Sequence, residues 1–332
     1  METTDRLLLV GAGARVREVL LPALDKAGLP LRITGVADPD PGAAGRLRRG
    51  ALTAYPSLEK ALAADAFDIA ILACPHHLHY EAAQRLRAAG LTVWKEKPLA
   101  LTLTEAERLA ARGRVRVLAH RPHGQLYAIA RRLLAGWGRL LSYRIRITRP
   151  TGDYSATWRA SHEHAGGGAL LDLGYHAFDL IARFTEAEAT GVYALTGASP
   201  AWRAPVEVEE TAHVLLTHRG STTGSVYVSR CDERADVLDL VAEGGRITII
   251  GDRARVCVGD RGGPLHVVAL EATEDPWARM LAHHFATRHE AAVDTGEARV
   301  GIAATALMEA AYASLASGRP EPLPNAPLKR SA

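Results

Sequence analysis

Three side chains that could carry acid–base chemistry stand at two separate points of the chain. Lys97 lies in Glu96-Lys97-Pro98, after an apolar segment, and Asp172 and His176 follow a run of glycines. A spacing of four places Asp172 and His176 on one face of a helix. An amine, a carboxylate and an imidazole that share a pocket can move a proton on or off an alcohol. An unperturbed histidine has a pKa of ~6.5, which suits proton exchange at neutral pH.

A glycine loop near the start of the chain indicates a dinucleotide. Gly11 and Gly13 follow a strand pattern and precede a helix pattern. Glycine permits the tight turn and the close approach of a pyrophosphate, and the helix N-terminus then faces the negative charge. We therefore expect Gly11, Gly13, Ala14 and Arg15 to contact the cofactor. Val16 stands where the full pattern has a third glycine, so the motif is weak by itself.

Asp38 strengthens the interpretation, because it ends the second strand pattern 22 residues after Val16. An acid at this place accepts hydrogen bonds from the adenosine ribose and repels a 2′-phosphate. The prediction is NAD, with NADP less favoured, although Arg15 beside the loop could neutralise a phosphate. A solvated turn residue is the alternative for Asp38.

Proton transfer beside a nicotinamide is alcohol–ketone redox chemistry.

Composition excludes several other classes of protein. The 332 residues are 48% hydrophobic and 23% charged, and the net charge of +3 is too small to favour nucleic acid or an anionic membrane. No uninterrupted apolar run reaches ~18 residues, so no membrane-spanning segment is expected. Cys74, Cys231 and Cys257 lie far apart, which favours a reducing, cytoplasmic location over disulfides or zinc. Only five of the 40 basic residues are lysines, which makes Lys97 more informative.

Alternating strand and helix patterns predict a first domain over residues 1–121. Such alternation is typical of βαβ units in a parallel, doubly wound sheet, the Rossmann arrangement. The predicted strands are Arg6–Val10, Leu31–Ala37, Phe67–Ala73, Leu91–Lys95 and Val115–Ala119. The predicted helices are Ala14–Ala27, Leu78–Ala89 and Thr104–Ala111.

A second domain, residues 122–332, is predicted as α/β with an open, mostly antiparallel sheet. Long alternating segments joined by hairpin turns carry this prediction. Its predicted strands are Arg139–Arg149, Val206–Thr217, Thr222–Ser229, Val237–Ala242, Arg246–Ile250, Arg255–Val258 and Leu265–Leu270. One helix is expected at Ala169–Phe184 and two more at Pro276–Val293 and Val300–Ala316, where they could pack back on the first domain. An extended tail is expected over Pro320–Pro327.

The chain resembles the glucose–fructose oxidoreductase/inositol dehydrogenase/MocA (GFO/IDH/MocA) family over nearly its whole length. The resemblance rests on the order and spacing of five segments, namely Leu8–Gly13, Gly35–Asp38, Ala73–His79, Lys95–Pro98 and Gly166–His176. The closing segment, Ala310–Gly318, is similar as well. Val16 and His76 depart from the family pattern, and both fall at the expected cofactor site.

The resemblance implies roles for individual residues. Lys97, on a turn whose proline bond is often cis, would hydrogen-bond the reacting oxygen, and His176 would be the acid/base. Asp172 would bind a substrate hydroxyl or orient the imidazole. Cys74, Pro75, His79 and Glu96 would lie along the cofactor, and Arg159 would contact substrate. Asp179 is expected to stabilise structure. His76–His79 and His162–His164 lack convincing partners for a metal, so none is expected.

The resulting hypothesis is an NAD-dependent dehydrogenase or reductase of a sugar, cyclitol or other polyhydroxylated small molecule. A homodimer or homotetramer is expected, because the sheet leaves an apolar face for a second copy to cover. Three alternatives stay open, since Rossmann scaffolds host many functions. They are a reductase of imines, dihydrodiols or biliverdin-like substrates, a non-enzymatic NAD-sensing regulator, and a glycosidase that retains NAD in a transient redox cycle.

Overall fold

Short apolar runs form a six-stranded parallel sheet in the first part of the chain. In the computed structural model, which describes residues 4–47, 52–185, 188–197, 206–251, 255–269 and 274–323, the strand order is β3-β2-β1-β4-β5-β6. The strands are β1 Asp5–Val10, β2 Leu31–Ala37, β3 Thr53–Tyr55, β4 Ile69–Leu72, β5 Thr92–Lys95 and β6 Val115–Val117. Every residue of β4 and β5 is buried, as expected for a sheet covered on both faces.

Ten α-helices are assigned within the described residues. They are α1 Leu21–Ala27, α2 Ala43–Arg46, α3 Leu58–Ala64, α4 His79–Ala88, α5 Leu103–Ala110, α6 Gln125–Leu134, α7 His162–Ala165, α8 Tyr175–Phe184, α9 Pro276–Ala286 and α10 Ala291–Ser317. Two π-helical turns precede α1 and α8, at Val16–Leu20 and Leu170–Gly174. Alternation between strands and helices was predicted, but α2, β3 and α3 were not.

The second sheet has nine strands in the order β14-β13-β12-β11-β7-β10-β9-β8-β15. The strands are β7 Leu140–Thr148, β8 Ala189–Thr196, β9 Thr211–His218, β10 Thr223–Ser229, β11 Ala235–Ala242, β12 Gly245–Ile250, β13 Arg255–Asp260, β14 His266–Ala269 and β15 Glu321–Pro322. Among these, β7 and β10 pair in parallel and the other neighbours are antiparallel. The predicted fold class is therefore confirmed.

The chain divides into two compact units that do not follow a single cut. One unit comprises Met1–His123 and Glu274–Ile302, and the other comprises Gly124–Thr273 and Ala303–Ala332. In the first unit Met280 and Leu281 of α9 are fully buried in the same core as Trp94 of β5. The division at residue 121 stays a prediction, as does the separate domain 122–332.

Buried Arg116 on β6 ties the returning segment to the parallel sheet. Its guanidinium donates to the Asp294 carboxylate at 2.7 Å and to the carbonyl oxygens of His284 and Thr287 at 3.2 and 2.5 Å. His284 lies in the last turn of α9 and Thr287 directly follows the helix, where carbonyl acceptors lack partners inside the helix. The predicted helix Pro276–Val293 was therefore wrong at its end, because Arg116 satisfies the last turn of α9 and α10 starts at Ala291.

The predicted strand Val206–Thr217 was also too long, since pairing begins at Thr211. Val208 is buried against Tyr154 and Ala160, and the backbone of Glu209 is used at the start of another helix. Residues 206–210 therefore form a loop that contacts other parts of the unit, and strand pairing begins only after them. Leu270, at the end of the predicted strand Leu265–Leu270, lies outside the described residues, and so do 324–327 of the predicted tail.

Helix α10 is long and apolar enough, by length and composition alone, to cross a bilayer. The count of uninterrupted apolar residues did not reveal this. Buried side chains, among them Ala304, Leu307 and Met308, account for part of its apolar character. Gly301 lies against the side chain of Leu99 in the first unit, and the Ser314 hydroxyl accepts from the amide of Ala194 at 3.0 Å in the second. The core helix of a globular protein passes the same test.

Candidate functional site

The glycine loop after β1 can take only glycine at its first position. Gly11 has a φ of +90°, and a Cβ there would lie 2.8 Å from the carbonyl oxygen of Ala73. Its amide donates to the carbonyl of Ala37 at 2.9 Å, which ties the loop to β2. Gly13 is exposed, and no described atom lies within 4 Å of the position that its Cβ would occupy. The loop is therefore fixed on its inner side and open on its outer side.

The helix after this loop starts at Ala14, with Val16 and Leu20 buried in the core. Val16 occupies the place of the third glycine and belongs to the same buried cluster as Leu7 and Leu9, so it serves as a core residue. The first amides of a helix lack intrahelical partners and attract anions. The outer side of the loop thus fits a pyrophosphate, and the departure at Val16 does not close it.

Asp38 lies beside the loop, as the sequence predicted for a ribose acceptor. Its Oδ2 accepts from the amide of Ala12 at 2.8 Å, and its Oδ1 accepts from the amide of Asp40 at 2.9 Å. Each carboxylate oxygen can accept more than one hydrogen bond. Asp38 is therefore held rigidly by backbone donors and keeps capacity for hydroxyl donors, which fits an adenosine ribose.

Arg15 pairs with Glu96, and this links the glycine loop to the Glu96-Lys97-Pro98 segment. Arg15 Nε lies 3.3 Å from Glu96 Oε1, and the guanidinium lies 5.5 Å from the centre of the Trp277 ring. Trp277 in turn stacks on His120 at 4.2 Å. Sequence reasoning missed Trp277 and His120 because nothing local marks a contact with the glycine loop.

The segment Cys74–His79 follows β4 and enters α4 through a 3₁₀ turn at His76–Leu78. His79 is buried, and its Nε2 donates to the carbonyl of Cys74 at 2.9 Å. Burial, with the nearby charges of Lys95, His76 and Lys97, lowers the pKa of His79 well below 6.5. Burial also raises the pKa of the Cys74 thiol to about 11. Neutral His79 therefore holds the segment at the carbonyl of Cys74, and the Cys74 side chain is not a thiolate at neutral pH.

Lys97 sits on a buried turn at the end of β5. It is 4% exposed, Glu96 is 7% exposed, and the Lys97–Pro98 bond is cis, in line with the resemblance. A second lysine lies beneath the turn. The Lys95 amine donates to the carbonyls of Pro98 and of Leu99, the latter at 2.8 Å. The sequence predicted Lys95 only as the end of a strand, because nothing in a strand pattern marks a buried amine.

The glycine run of the second unit is required by close packing. Gly166 has a φ of +80°, a Cβ on Gly167 would overlap the hydroxyl of Tyr312, and one on Gly168 would overlap the carbonyl oxygen of Glu209. The Glu209 carboxylate accepts from the amides of Gly168 at 3.0 Å and Leu170 at 2.8 Å, and from the Tyr312 hydroxyl at 2.9 Å. Glu209 thus caps the helix that carries Asp172 and His176.

The predicted helix Ala169–Phe184 is present, although its first part is the π turn that contains Asp172. His176, 9% exposed, is on α8. Asp172 Oδ2 accepts from Arg230 Nη2 at 3.2 Å. Further along, buried Asp179 pairs with Arg183 at 3.1 Å, which suits its expected structural role.

Arg230 is a residue that the sequence analysis missed. It is 3% exposed and lies 4.9 Å from the centre of the Tyr154 ring. The Tyr154 hydroxyl donates to fully buried Glu210 at 3.1 Å. Burial opposes the charged form, but the Asp172 carboxylate and the Tyr154 hydroxyl outweigh it and raise the pKa of Arg230. The guanidinium therefore fixes the Asp172 carboxylate in place.

Arg159, the expected substrate contact, lies on the 3₁₀ turn Trp158–Ala160. Its guanidinium covers the Trp158 ring at 4.7 Å and is half-buried. Among the described residues, three or more histidine, cysteine or acidic side chains do not come close enough to hold a metal ion.

Both π turns fall at predicted functional segments. One follows Gly11–Gly13 and the other follows Gly166–Gly168. Single π turns inside α-helices are rare overall, and those that occur are often found at functional sites. The first unit brings together the glycine loop, Asp38, Arg15 and Glu96. The second places Asp172 against Arg230, with His176 four residues further along the helix. A pocket shared by Lys97, Asp172 and His176 stays a prediction.

Residues 6–116 match the model of an oxidoreductase family with an NAD-binding Rossmann fold. Residues 127–257 match the GFO/IDH/MocA C-terminal domain. The chain belongs to the GFO/IDH/MocA family. This membership confirms the predicted oxidoreductase class and NAD as cofactor.

Two curated relatives of this family member are 31% identical to it. One, from Amycolatopsis mediterranei, carries the provisional name UDP-kanosamine synthase oxidoreductase subunit, and the match covers 72% of each chain. The other is the rhizopine catabolism protein MocA of Rhizobium meliloti, and that match covers 57% of this chain and 59% of the relative.

Solved structures share the fold over nearly the full length. A levoglucosan dehydrogenase in complex with NADH and levoglucosan has a TM-score of 0.84 at 19% identity, and the match covers 97% of this chain and 100% of that one. The WlbA dehydrogenase of Bordetella pertussis, in complex with NADH and UDP-GlcNAcA, has a TM-score of 0.78 at 23% identity, with coverage of 98% and 99%.

Proposed function

We propose that this chain is an NAD-dependent oxidoreductase of a sugar, cyclitol or sugar-bearing small molecule, with Lys97 and His176 in proton transfer. The observation that carries the proposal is the co-occurrence, in a GFO/IDH/MocA chain, of buried Lys97 on a tied turn and of Asp172 and His176 on a glycine-started helix. The names of the relatives add support, because levoglucosan and UDP-sugars are polyhydroxylated.

The residues of the first unit would hold the cofactor. The amides after Gly13 would bind the pyrophosphate, and Asp38 would accept from the ribose. Arg15 would lie beside the phosphates or keep its ion pair with Glu96. NAD would supply the hydride acceptor at nicotinamide C4.

Each proposed catalytic side chain has a separate task. Lys97 would donate a hydrogen bond to the reacting oxygen and stabilise the charge that develops there. His176 would take the hydroxyl proton during oxidation and return it during reduction. Asp172, held by Arg230, would accept from a neighbouring hydroxyl and orient the sugar ring.

Formation of NADH is the direct test. The purified chain should be mixed with NAD and, in turn, with levoglucosan, inositols, free sugars and UDP-sugars, and the reverse reaction should be followed with the matching ketones. Turnover of at least one polyol, lost in the Lys97→Ala variant, supports the proposal.

Three other results would each contradict it. NADH binding without turnover of any polyol or ketone would favour a sensor. Cofactor that stays bound through purification, with sugar cleavage and no net NADH, would favour the glycosidase cycle. Turnover restricted to imines, dihydrodiols or biliverdin-like compounds would favour the related reductases.

The cytoplasmic location also remains a proposal.

A further inference from the structure

Lys95 is a fully buried lysine at the end of a central strand. It is 0% exposed and is the last residue of β5, whose backbone pairs with Leu72 of β4 and Val117 of β6. Burying an amine is costly unless it is hydrogen-bonded. Its amine meets that requirement by donating to the carbonyls of Pro98 and Leu99. A residue placed at such cost, in a chain with five lysines, calls for a role.

The two carbonyls lie directly after Lys97. On the other side of Lys97, the Glu96 carboxylate pairs with Arg15 at 3.3 Å. The Leu99 side chain lies against Gly301 of α10, where a Cβ would come within 2.7 Å. Thr102 then caps α5 by accepting from the amide of Glu105 at 3.3 Å. The backbone around Lys97 is therefore held at several points, and Lys95 provides the one that immediately follows it.

We propose that Lys95 is a positioning residue for Lys97, because its buried amine holds the carbonyls of Pro98 and Leu99 and so fixes the backbone from which Lys97 projects. The functional consequence rests on the proposed role of Lys97. A displacement of that backbone by a fraction of an ångström moves the Lys97 amine away from the reacting oxygen.

The charge of Lys95 tunes this tether. Burial lowers the pKa of Lys95 to about 7, and Cys74, Glu96 and Glu105 are the nearby acidic groups that oppose this shift when they are ionised. These groups come from the end of β4, from the turn itself and from α5, and neutral His79 faces the amine from α4. An ammonium binds carbonyl oxygens more strongly than a neutral amine does. The turn is thus held more firmly below neutral pH than above it.

The test uses the intact protein with lysine labelled with carbon-13 at Cε, since five lysines give few resonances. Each resonance is assigned by single replacement, and the pH titration of the Lys97 signal is recorded in wild type, Lys95→Met and Lys60→Met. Lys60 is an exposed lysine on α3 of the same unit. We expect Lys95→Met to shift the Lys97 midpoint by about half a pH unit or more, with Lys60→Met unchanged.

Turnover provides the second readout, with a substrate found in the NADH assay. Lys95→Met should lower kcat ~10- to 100-fold while the Kd for NADH and the melting temperature stay near wild type. An unmoved Lys97 signal together with unchanged kcat would overturn the proposal.

Failure to fold is covered by the wild-type titration alone. If Lys95→Met does not fold, the Lys97 signal of the wild type must show a second step at the Lys95 midpoint, and its absence would overturn the proposal. If instead Lys97→Ala retains full turnover while the two signals remain coupled, the proposed function fails and the positioning contact stands.

Discussion

The guanidinium Nη2 of Arg230 lies 3.2 Å from the Oδ2 of Asp172, and the side chain of Arg230 is 3% exposed. The pair joins the loop that follows β10 to the π turn ahead of α8. Because the arginine is buried, its charge depends on this carboxylate for compensation. The pair therefore matters for stability as well as for the placement of Asp172.

Replacing Arg230 by methionine should lower the free energy of unfolding by about 1–3 kcal/mol, because the Asp172 carboxylate, which is 29% exposed, loses a buried cationic partner. Urea unfolding measures the change. Arg246→Met is the matched control, since the Arg246 side chain is 49% exposed in its pair with Asp239 at 3.3 Å and its loss should cost under about 1 kcal/mol. Equal stability of the two variants would contradict a structural role for the Arg230 pair.

Lys97→Ala and His176→Ala should each lower turnover by roughly 10²–10⁴-fold, the range for a positioned acid/base group. NAD affinity should change little, because neither residue belongs to the phosphate loop. Steady-state kinetics and calorimetry separate the two effects. Lys60→Ala and His266→Ala, which remove exposed side chains, should retain turnover. Near wild-type turnover in the first two variants would show that the proposed catalytic set is wrong.

Asp38 should make NAD(H) bind more tightly than NADP(H), because its carboxylate accepts from the ribose and repels a 2′-phosphate. Asp38→Ser should weaken NADH binding and narrow the ratio of the two dissociation constants, as measured by calorimetry. Asp25→Ser, at an exposed position on α1, should leave the ratio unchanged. Tighter NADP(H) binding by the wild type would contradict this role of Asp38 and would indicate that Arg15 neutralises the 2′-phosphate.

Gly168→Ala should destabilise the second unit, because a Cβ there would overlap the Glu209 carbonyl oxygen. Overpacking of this kind costs about 1–3 kcal/mol or more, and it should lower the melting temperature by several degrees. Gly152→Ala is the control, since no described atom lies within 4 Å of that Cβ position. Equal melting temperatures would mean that the helix start tolerates displacement.

Assembly into a homodimer or homotetramer should cover the open face of the nine-stranded sheet. Leu195 and Leu215 are 53% and 57% exposed on that face, and His213 stacks on Tyr227 beside them at 4.4 Å. Light scattering at micromolar concentration should give a multiple of 35.5 kDa. Leu215→Glu should reduce the mass by placing a charge in the interface. A strictly monomeric wild type with full activity would refute the expectation.

Local chemistry explains which parts of the fold and site were predictable from sequence. Gly11 and Asp38 were found because a glycine turn after the first strand and an acid at the end of the second form a local pattern in the sequence. Arg230, Glu209 and Trp277 were not found, because their partners lie far along the chain and no local pattern marks a long-range pair. The end of α9 was misplaced for the same reason, since the guanidinium that satisfies its last carbonyls comes from Arg116 on β6.

Residues 274–302 complete the core of the first unit, and this has a consequence for synthesis on the ribosome. The parallel sheet emerges first, but Met280, Leu281 and the Asp294 partner of Arg116 leave the exit tunnel only after the strands β7 to β14 have been made. The nucleotide-binding half must therefore wait, with part of its apolar surface uncovered, while the later half can already begin to fold. Nascent chains stalled before residue 274 should accordingly be good clients for chaperones that bind exposed apolar surface.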